Sequence, residues 1–489
     1  MNRLTARLAP APERPIRVMQ FGEGNFLRAF VDYMIDIANE KGLFDGSVAI
    51  VKPIDFGNLD RFTQQDCRYT VLLRGLKDGV PYEETRVVTS VSKAIDPFAD
   101  YGAYAALAKL DTLRFVVSNT TEAGIALDET DEFALCPPKS YPGKLCKFLF
   151  ERAEAFDYAK DKGLIMLPVE LIDDNGIMLE KCVKAISKKW GLGERFDRWL
   201  DEACVFTSTL VDRIVTGYPR EEAAALCEKL GYEDQLLDTA EPFGLWVIES
   251  QKDISRELPL PECGLPVIFT DNQKPYKQRK VRILNGAHTS FVPMAFLCGY
   301  DDVLSSMKDP AIARFMHDTI HDEVIPTLSL PKDDLLAFAS AVHGRFSNPY
   351  IKHLLLSICL NSVSKWRARC LPSLEGYMEK NGRLPEHLAF SLAALMALYH
   401  GGKLKENGTL ECRRNGQPYA LQDEARVLRF FADHADTGAA ELTHLFLSDE
   451  ANFGRNLTEI PGLEAYVSEA LEDILTNGAQ AARDHRFAS

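Results

Sequence analysis

The stretch IRVMQFGEGNFLRAF, from Ile16 to Phe30, decides the fold. Ile16 to Phe21 is a nearly continuous apolar run, which is typical of a buried strand. Phe26 to Ala38 follows with apolar residues at helical spacing. Gly22 and Gly24 stand between the two segments. The order strand, glycine turn, helix predicts the first unit of a doubly wound α/β domain.

The glycine turn has two interpretations. Gly22-x-Gly24 is able to make a tight turn and to let a pyrophosphate approach the backbone, while the free N–H groups of the next helix face the phosphates. The third glycine of the usual fingerprint falls at Leu27, where it is absent. Methyltransferases that use S-adenosylmethionine place a glycine loop at the same point. The pattern alone leaves a nucleotide site and a structural turn as alternatives.

Further apolar strands alternate with helices in the first half of the chain. They lie at Val48–Val51, Phe115–Val117, Leu164–Val169 and Val205–Leu210. After the polar stretch DNQKPYKQRK, residues 271–280, the apolar pattern becomes helical. We therefore expect an α/β N-terminal Rossmann-like domain, residues 1–275, followed by a mostly α-helical C-terminal domain, residues 276–489.

Composition excludes several classes of function. The chain has 489 residues and a formal net charge of −15, which disfavours nucleic acid as a partner. No apolar run approaches the ~20 residues of a membrane span, and no signal peptide is evident, so we expect a cytoplasmic protein. The 11 cysteines are scattered, as in a protein with reduced thiols. His317 and His321 have the spacing of a helical metal pair but no third ligand, so no metal is expected.

The end of the second predicted strand bears on the choice of nucleotide. An acid at this point normally binds the ribose hydroxyls. The chain reads Val51-Lys52-Pro53-Ile54-Asp55. Asp55 is the candidate for the ribose, and this interpretation favours NAD. Lys52 either meets a 2′-phosphate, which would indicate NADP, or is simply solvated.

The segment KVRILNGAHTS, residues 280–290, carries the candidate chemistry. In an ideal helix at ~100° per residue, Asn285 lies about 140° and His288 about 80° from Lys280. All three side chains then share one face. Lys280 is a candidate general base, Asn285 a donor to a developing alkoxide, and His288 a group that orients the substrate. The alternative is a solvated lysine with two capping or core polar residues.

An anionic substrate requires cations in its pocket. The segment NSVSKWRARCLP offers Lys365, Arg367 and Arg369, and Arg345 and Lys352 are further options. For each of these residues a surface ion pair is the alternative.

The spacing Lys280-x4-Asn285-x2-His288 resembles the K-x4-N-x2-H motif of the polyol-specific long-chain dehydrogenases, the mannitol dehydrogenase family. The resemblance extends along nearly the whole chain. It includes the segments QFGEGNFLRAF (20–30), SNTTEAGI (118–125), STLVDRIVTGYP (208–219), EPFGLWVIE (241–249) and GRFSNPYIKH (344–353).

Within the family, the segments QFGEGNFLRAFVDYMID (20–36), ELIDDNG (170–176), LVDRIVTGYPR (210–220) and KVRILNGAHT (280–289) are most similar to members that act on a sugar acid. The resemblance implies a zinc-independent, NAD-linked oxidation of D-altronate to D-tagaturonate, or the reverse reduction. It also implies the catalytic roles given above for the three helix residues. Substrate contacts are expected at Asp212, Asn175, Lys365 and Arg367. Cofactor contacts are expected at Val18, Met19, Gln20, Phe21, Gly22, Glu23, Gly24, Asn25, Phe26, Leu27, Arg28, Ala29, Asp55, Asn119 and Thr120.

One departure from the family pattern concerns the oxyanion. Members that act on mannitol carry Asp-Asn where this chain has Glu170-Leu171. Asn285 then acts alone or with Asn175, whose alternative role is in the turn of an Asn-Gly pair.

Other functions stay open at this point. A fructuronate reductase or a mannitol-type dehydrogenase would use the same chemistry on a different substrate. A methyltransferase and a nucleotide-sensing protein without activity are alternatives from other functional classes. Both a monomer and a homodimer are compatible with the sequence.

Overall fold

The computed structural model describes residues 1–77, 79–121 and 123–487. Asp78, Glu122 (part of the SNTTEAGI segment), Ala488 and Ser489 lie outside the described residues. The chain forms two units. Unit 1 comprises Met1–Gly75 and Pro81–Gln273, and unit 2 comprises Leu76–Val80 and Lys274–Ser489.

The first 273 residues contain fifteen strands and eight α-helices within the described part of the chain. The strands are β1 (Asn2–Arg3), β2 (Ile16–Phe21), β3 (Ser47–Val51), β4 (Tyr69–Lys77), β5 (Val80–Val88), β6 (Val91–Ile95), β7 (Phe115–Ser118), β8 (Ile165–Pro168), β9 (Val205–Phe206), β10 (Ser208–Asp212), β11 (Val215–Gly217), β12 (Tyr232–Glu233), β13 (Asp238–Ala240), β14 (Leu245–Glu249) and β15 (Val267–Thr270). The helices are α1 (Asn25–Leu27), α2 (Tyr33–Glu40), α3 (Asp60–Gln64), α4 (Tyr101–Leu107), α5 (Tyr141–Ala155), α6 (Asn175–Trp190), α7 (Glu194–Ala203) and α8 (Ala223–Leu230).

A six-stranded parallel sheet organises unit 1. Its spatial order is β6-β3-β2-β7-β8-β9, and each pair of neighbours is parallel. Counted along the chain, this order is 3-2-1-4-5-6, the order of a Rossmann sheet. The predicted Rossmann-like domain is therefore confirmed. The strand order reverses between β2 and β7, and ligands of such sheets bind at the carboxyl ends of the strands next to that point.

The apolar character of the strands follows from burial on both faces. Successive side chains of a strand point to opposite faces. Val18, Val48 and Phe115 belong to the core on one face, while Met19 and Ala49 belong to the core on the other. Helices or other strands cover both faces, so the parallel strands need apolar residues at nearly every position.

Smaller sheets complete unit 1. β10, β14 and β15 form one sheet, in which β10 is antiparallel and β15 is parallel to β14. A second has the order β11-β13-β4-β5, and β1 pairs with β12.

Unit 2 is mostly helical, as predicted. Its helices are α9 (Lys274–Arg279), α10 (Gly286–Leu297), α11 (Val303–Met307), α12 (Pro310–Asp318), α13 (Lys332–Phe346), α14 (Leu355–Ile358), α15 (Ser362–Arg369), α16 (Leu371–Asn381), α17 (Glu386–Tyr399), α18 (Ala425–Asp433), α19 (Ala439–Ser448), α20 (Glu450–Phe453), α21 (Leu463–Asn477) and α22 (Ala479–Phe487).

A three-stranded antiparallel sheet in unit 2 was not predicted. It consists of β16 (Lys403–Leu404), β17 (Leu410–Arg414) and β18 (Gln417–Leu421). Asn415 and Gly416 connect the last two strands, both with positive φ, of 51° and 79°. Asn-Gly is the strongest short hairpin signal, so the sequence did contain the information.

Across the three described ranges, no helix has the length and the apolar character that crossing a membrane requires.

Candidate active site

Gly22 closes the turn at the end of β2, and only glycine fits there. Its φ is +124°, in the region that favours glycine. A Cβ at this position would lie 3.0 Å from Cδ1 of Leu27 and 3.1 Å from the carbonyl oxygen of Asn119. The buried Leu27 side chain thus packs directly against the turn, where the usual fingerprint has its third glycine.

Gly24 is different, because none of the residues that the structure describes requires glycine there. Its φ of −67° suits any residue, and a Cβ would meet no atom within 4 Å. The space beside the backbone is open. The continuous helical run from α1 through a π-helical turn (Arg28–Asp32) to α2 begins at the next residue. Its first N–H groups have no carbonyl partner within the helix, so the turn fits the pyrophosphate of a dinucleotide.

The segment expected to contact the cofactor, residues 18–29, reaches the surface only at residues 23–26. Val18, Met19, Phe21, Leu27 and Ala29 are core residues that are at most 1% exposed. The side chains of these five residues are buried, so the expected cofactor contact stays a prediction that only their backbone or the exposed residues 23–26 would fulfil.

Arg28 also points into the protein. Its guanidinium donates to the carbonyl oxygen of Leu236 and to Oδ1 of Asn25, and it lies 3.7 Å from the carboxylate of Asp238. The side chain is 4% exposed. The guanidinium of Arg28 therefore supports the glycine turn from inside unit 1, and the cofactor contact expected at Arg28 stays a prediction for its backbone.

Gln20 and Asp32 fix the turn in place. The side-chain amide of Gln20 donates to the carbonyl oxygen of Gly22 (3.1 Å) and to Oδ2 of Asp32 (3.3 Å). The hydroxyl of Tyr69 donates to the same carboxylate oxygen at 2.8 Å. Burial raises the pKa of Asp32 to about 7, against the opposing effect of these hydrogen bonds. Sequence reasoning missed Asp32, because the apolar spacing of Phe26, Phe30 and Met34 places it on the opposite side of the helix.

Lys52 is neither solvated nor available to a 2′-phosphate, so both predictions for it are wrong. It is 3% exposed, forms an ion pair with Asp96, and donates to the carbonyl oxygen of Gly57 at 3.1 Å. Asp55 lies in the exposed loop after β3. This arrangement leaves an acid, and no free lysine, in the loop where a ribose is expected.

Thr120, an expected cofactor contact, bonds instead to Glu170. Its backbone N–H and its hydroxyl donate to Oε1 of Glu170 at 3.0 and 2.9 Å. The hydroxyl of Ser118 donates to Oε2 at 3.1 Å. Glu170 is 2% exposed, and burial raises its pKa against these hydrogen bonds. The residue that departs from the mannitol-type pattern thus anchors the end of β7, and Asn119 is left half-buried beside the glycine turn.

Asn175 does not provide an oxyanion donor. The residue is fully buried, and Nδ2 lies 3.0 to 3.1 Å from the carbonyl oxygens of Pro168, Glu170 and Thr209. Its Oδ1 accepts from the backbone N–H groups of Gly176 and Thr209. Both amide hydrogens are therefore used by the backbone, and the expected substrate contact is wrong.

Asp212 lies at the end of β10 and is 6% exposed. The next residue, Arg213, holds the surrounding loops. It donates to the carbonyl oxygens of Ala29 (2.7 Å) and Phe243 (2.9 Å). One arginine therefore joins the segment LVDRI to the segment EPFG and to the helical run after the glycine turn, a contact that the sequence pattern did not reveal.

In unit 2, Lys280 and Asn285 bound a π-helical turn (Lys280–Asn285) between α9 and α10. The assumption of an ideal α-helix over this segment is wrong. A π-helical turn pairs residue i with residue i+5. The five-residue step from Lys280 to Asn285 spans one such turn, so the two side chains are closer in direction than in an α-helix. Turns of this kind occur often at functional sites.

Asn285 and His288 keep their polar groups free of protein partners. Among the described residues, the side-chain amide of Asn285 makes no hydrogen bond, in contrast to that of Asn175. Nε2 of His288 is buried without a hydrogen-bond partner. The imidazole stacks on Phe346 with ring centroids 4.0 Å apart, and the ring of His353 lies 5.1 Å away. A buried polar atom without a partner, such as Nε2 of His288, is rare. A substrate hydroxyl is able to bond to this atom and to the half-buried amide of Asn285.

The surroundings of His288 are cationic. Burial is the largest cause that lowers its pKa far below the ordinary value, followed by the neighbouring imidazole of His353 and by the cations Arg345, Arg369 and Lys365. The imidazole is therefore neutral at physiological pH. Of the residues expected to bind an anion, Lys365, Arg369 and Arg345 belong to this group.

Arg367 does not belong to the cationic group. It lies two residues from both Lys365 and Arg369 on α15, which places it on the opposite face. It is exposed, and its guanidinium lies against Gly454, where a Cβ would be 2.7 Å from Nη2. The position of Arg367 gives no support to its expected substrate contact, because helix geometry turns it away from Lys365 and Arg369. Lys352 and His343 are exposed as well.

Within the residues that the structure describes, no three His, Cys, Asp or Glu side chains are grouped so as to hold a metal ion. A Rossmann sheet with an open glycine turn and a helix with lysine, asparagine and histidine are the parts of a dinucleotide-dependent dehydrogenase.

Comparisons with known proteins give the family. The Mannitol dehydrogenase Rossmann domain matches residues 16–262, and the Mannitol dehydrogenase C-terminal domain matches residues 272–475. The chain is 46% identical to the altronate oxidoreductases of Yersinia enterocolitica and Escherichia coli strain K12, over 489 residues and 99% of each chain. The chain belongs to the mannitol dehydrogenase family.

Two solved structures share the fold over the whole chain. Mannitol 2-dehydrogenase of Pseudomonas fluorescens, solved as a ternary complex with NAD and D-mannitol, is 24% identical with a TM-score of 0.67, covering 100% of both chains. A D-sorbitol dehydrogenase in substrate-free form is 21% identical with a TM-score of 0.77, covering 98% of this chain and 99% of the other.

Proposed function

We propose that this protein is an NAD-dependent oxidoreductase that interconverts D-altronate and D-tagaturonate in hexuronate catabolism. The observation that carries the proposal is the identity of 46% to altronate oxidoreductases over 99% of both chains. The cationic surroundings of His288 support a sugar acid rather than an uncharged polyol as the substrate.

The proposed cofactor residues lie at the carboxyl ends of β2, β3 and β7. The open backbone at Gly24 and the first N–H groups of α1 receive the pyrophosphate. Asp55 binds the ribose hydroxyls, and Asn119 lies next to the turn. The ion pair of Lys52 with Asp96 supports NAD over NADP, because the lysine charge is already neutralised.

NAD, when bound, supplies the acceptor for the hydride. In the proposed mechanism, Nζ of Lys280 takes the proton of the reacting hydroxyl. The amide of Asn285 donates a hydrogen bond to the oxygen on which negative charge develops. The neutral imidazole of His288 orients the substrate by a hydrogen bond. The reverse reduction uses the same groups, with Lys280 returning the proton. No zinc ion takes part.

The partner in this proposal is a small sugar acid, and neither nucleic acid nor a membrane is involved. The net charge of −15 supports the exclusion of nucleic acid. We place the enzyme in the cytoplasm, where the NAD pool and the intermediates of sugar-acid breakdown occur, as a monomer or a homodimer.

Absorbance at 340 nm tests the proposal. Purified protein is mixed with NAD or NADP and with D-altronate, D-mannonate or D-mannitol. The proposal expects reduced cofactor with D-altronate and NAD, and little with the other pairs. Turnover of D-mannonate or D-mannitol in preference to D-altronate would show that the proposed substrate is wrong. A preference for NADP would overturn the role of Asp55.

A further inference from the structure

We propose that Arg369 binds the carboxylate of the substrate and thereby selects a sugar acid over the corresponding uncharged sugar. This inference rests on the proposed function and adds a specificity-determining residue to it.

Arg369 is tied to the candidate catalytic helix by a short chain of hydrogen bonds. Its Nη1 donates to the hydroxyl of Thr289 at 3.2 Å, and that hydroxyl donates to the carbonyl oxygen of Asn285 at 3.0 Å. The end of α15 also approaches α10 closely, because a Cβ on Gly286 would lie 3.5 Å from the carbonyl oxygen of Arg369. The guanidinium is therefore beside the helix that carries Asn285 and His288.

Lys365 lies one helical turn before Arg369, on the same face of α15. Its Nζ donates to the carbonyl oxygen of Ile358 at 3.0 Å. Over the described ranges, no carboxylate lies within ion-pair distance of Lys365 or Arg369. Both side chains are half-buried, and burial is the largest cause that lowers the pKa of each. Two neighbouring cations without a counter-ion are costly to bury.

An arginine is better suited than a lysine to select a carboxylate. Its planar guanidinium presents parallel N–H groups that match the two carboxylate oxygens. Within the part of the chain that the structure describes, the guanidinium of Arg369 makes one hydrogen bond, from Nη1 to the hydroxyl of Thr289. The remaining donors are available to an anion, and the adjacent Lys365 adds a second positive charge. A substrate carboxylate supplies the missing counter-ion.

The test uses the reverse reaction of the full-length enzyme with NADH. D-tagaturonate is compared with D-tagatose, in which a CH2OH group replaces the carboxylate. The variants are Arg369→Met, Arg369→Lys and, as a matched control on the same helix, Arg367→Met. Circular dichroism and the thermal unfolding midpoint verify that each variant is folded.

Arg369→Met is expected to lower kcat/KM for D-tagaturonate about 100-fold, because a charge-assisted hydrogen bond is lost. Its effect on D-tagatose should stay within about threefold, and Arg369→Lys should restore part of the loss. Arg367→Met should change kcat/KM for either substrate by less than about twofold. If D-tagatose turns over too slowly, its inhibition constant against D-tagaturonate replaces kcat/KM.

If Arg369→Met lowers kcat/KM equally for both substrates, Arg369 has only a structural role and the proposal is wrong. If kcat/KM falls for neither substrate, the proposal is also wrong. Failure of the proposed function looks different, because the wild-type enzyme itself would then not reduce D-tagaturonate.

Discussion

Lys52, the first residue after β3, forms an ion pair with Asp96, the first residue after the neighbouring strand β6, and also bonds to Gly57 in the loop that contains Asp55. The pair neutralises the lysine that would otherwise be available to a 2′-phosphate. We therefore expect NAD to be preferred over NADP. In Asp96→Ala the lysine loses its counter-ion, and the ratio of kcat/KM for NAD to that for NADP should fall about tenfold or more. Initial rates with the two cofactors measure this ratio, and an unchanged ratio would mean that Lys52 lies too far from the ribose.

Substitution by alanine should have different effects at the two glycines of the turn, Gly22 and Gly24. Gly24→Ala places a methyl group in open space, so stability should be unchanged while the affinity for NADH falls roughly tenfold or more, because the pyrophosphate is kept from the backbone. Gly22→Ala should instead cost about 1–3 kcal/mol of stability, because φ is +124°. Fluorescence titration with NADH and thermal unfolding separate the two effects. Unaltered NADH binding by Gly24→Ala would contradict the location of the pyrophosphate.

Asp32 should make stability depend on pH. Burial raises its pKa from 3.8 to about 7, so the folded state holds the proton more tightly than the unfolded state. The contribution of the protonated Asp32 to the free energy of unfolding is fully present below pH 3.8 and is lost as the pH rises through about 7. Asp32→Asn cannot titrate. Between pH 5 and pH 8, the wild-type protein should therefore lose about 1 kcal/mol or more relative to this variant, as measured by urea unfolding. A pH-independent difference would show that Asp32 is ionised throughout.

Asn175 and Asn285 offer a matched pair of amides. Asn175→Ala removes a fully bonded buried group and should cost about 2–4 kcal/mol of stability. Asn285→Ala should leave stability nearly unchanged and lower kcat about 100-fold to 1000-fold, because a donor to the developing oxyanion is lost. Thermal unfolding and steady-state kinetics on both variants test the assignment. Normal turnover by Asn285→Ala would show that Asn285 takes no part in the mechanism.

Lys280 is the proposed general base. Lys280→Met should lower kcat by about 100-fold to 10,000-fold, the usual effect of removing such a group. NADH binding should persist, because the proposed cofactor residues belong to unit 1. A loss of only a few-fold would point to another base or to a protein whose main role is to sense the nucleotide.

The sequence was sufficient for the main elements of the fold. The strand Ile16–Phe21 has the predicted bounds, because a strand buried on both faces is apolar throughout and ends where a glycine turn begins. The Rossmann-like unit was predicted from continuous apolar strands that alternate with helices, and the helical unit was predicted from apolar residues at helical spacing.

Side-chain partners were harder to predict, because residues distant in sequence decide them. Lys52 is buried only because Asp96 faces it, and Arg367 is turned away from Lys365 and Arg369 by the orientation of a single helix. The π-helical turn at Lys280–Asn285 leaves no trace in apolar spacing. Asn175 and Asn285 are the same residue type, and only their hydrogen bonds distinguish a structural amide from an available one.

The most direct test of the central claim is the stoichiometry of the reverse reaction. Purified protein is incubated with D-tagaturonate and NADH, and the sugar acid formed is identified by chromatography against authentic standards. The account predicts one D-altronate for each NADH oxidised. Absence of NADH oxidation, or formation of the epimer at the new carbinol carbon, would contradict it.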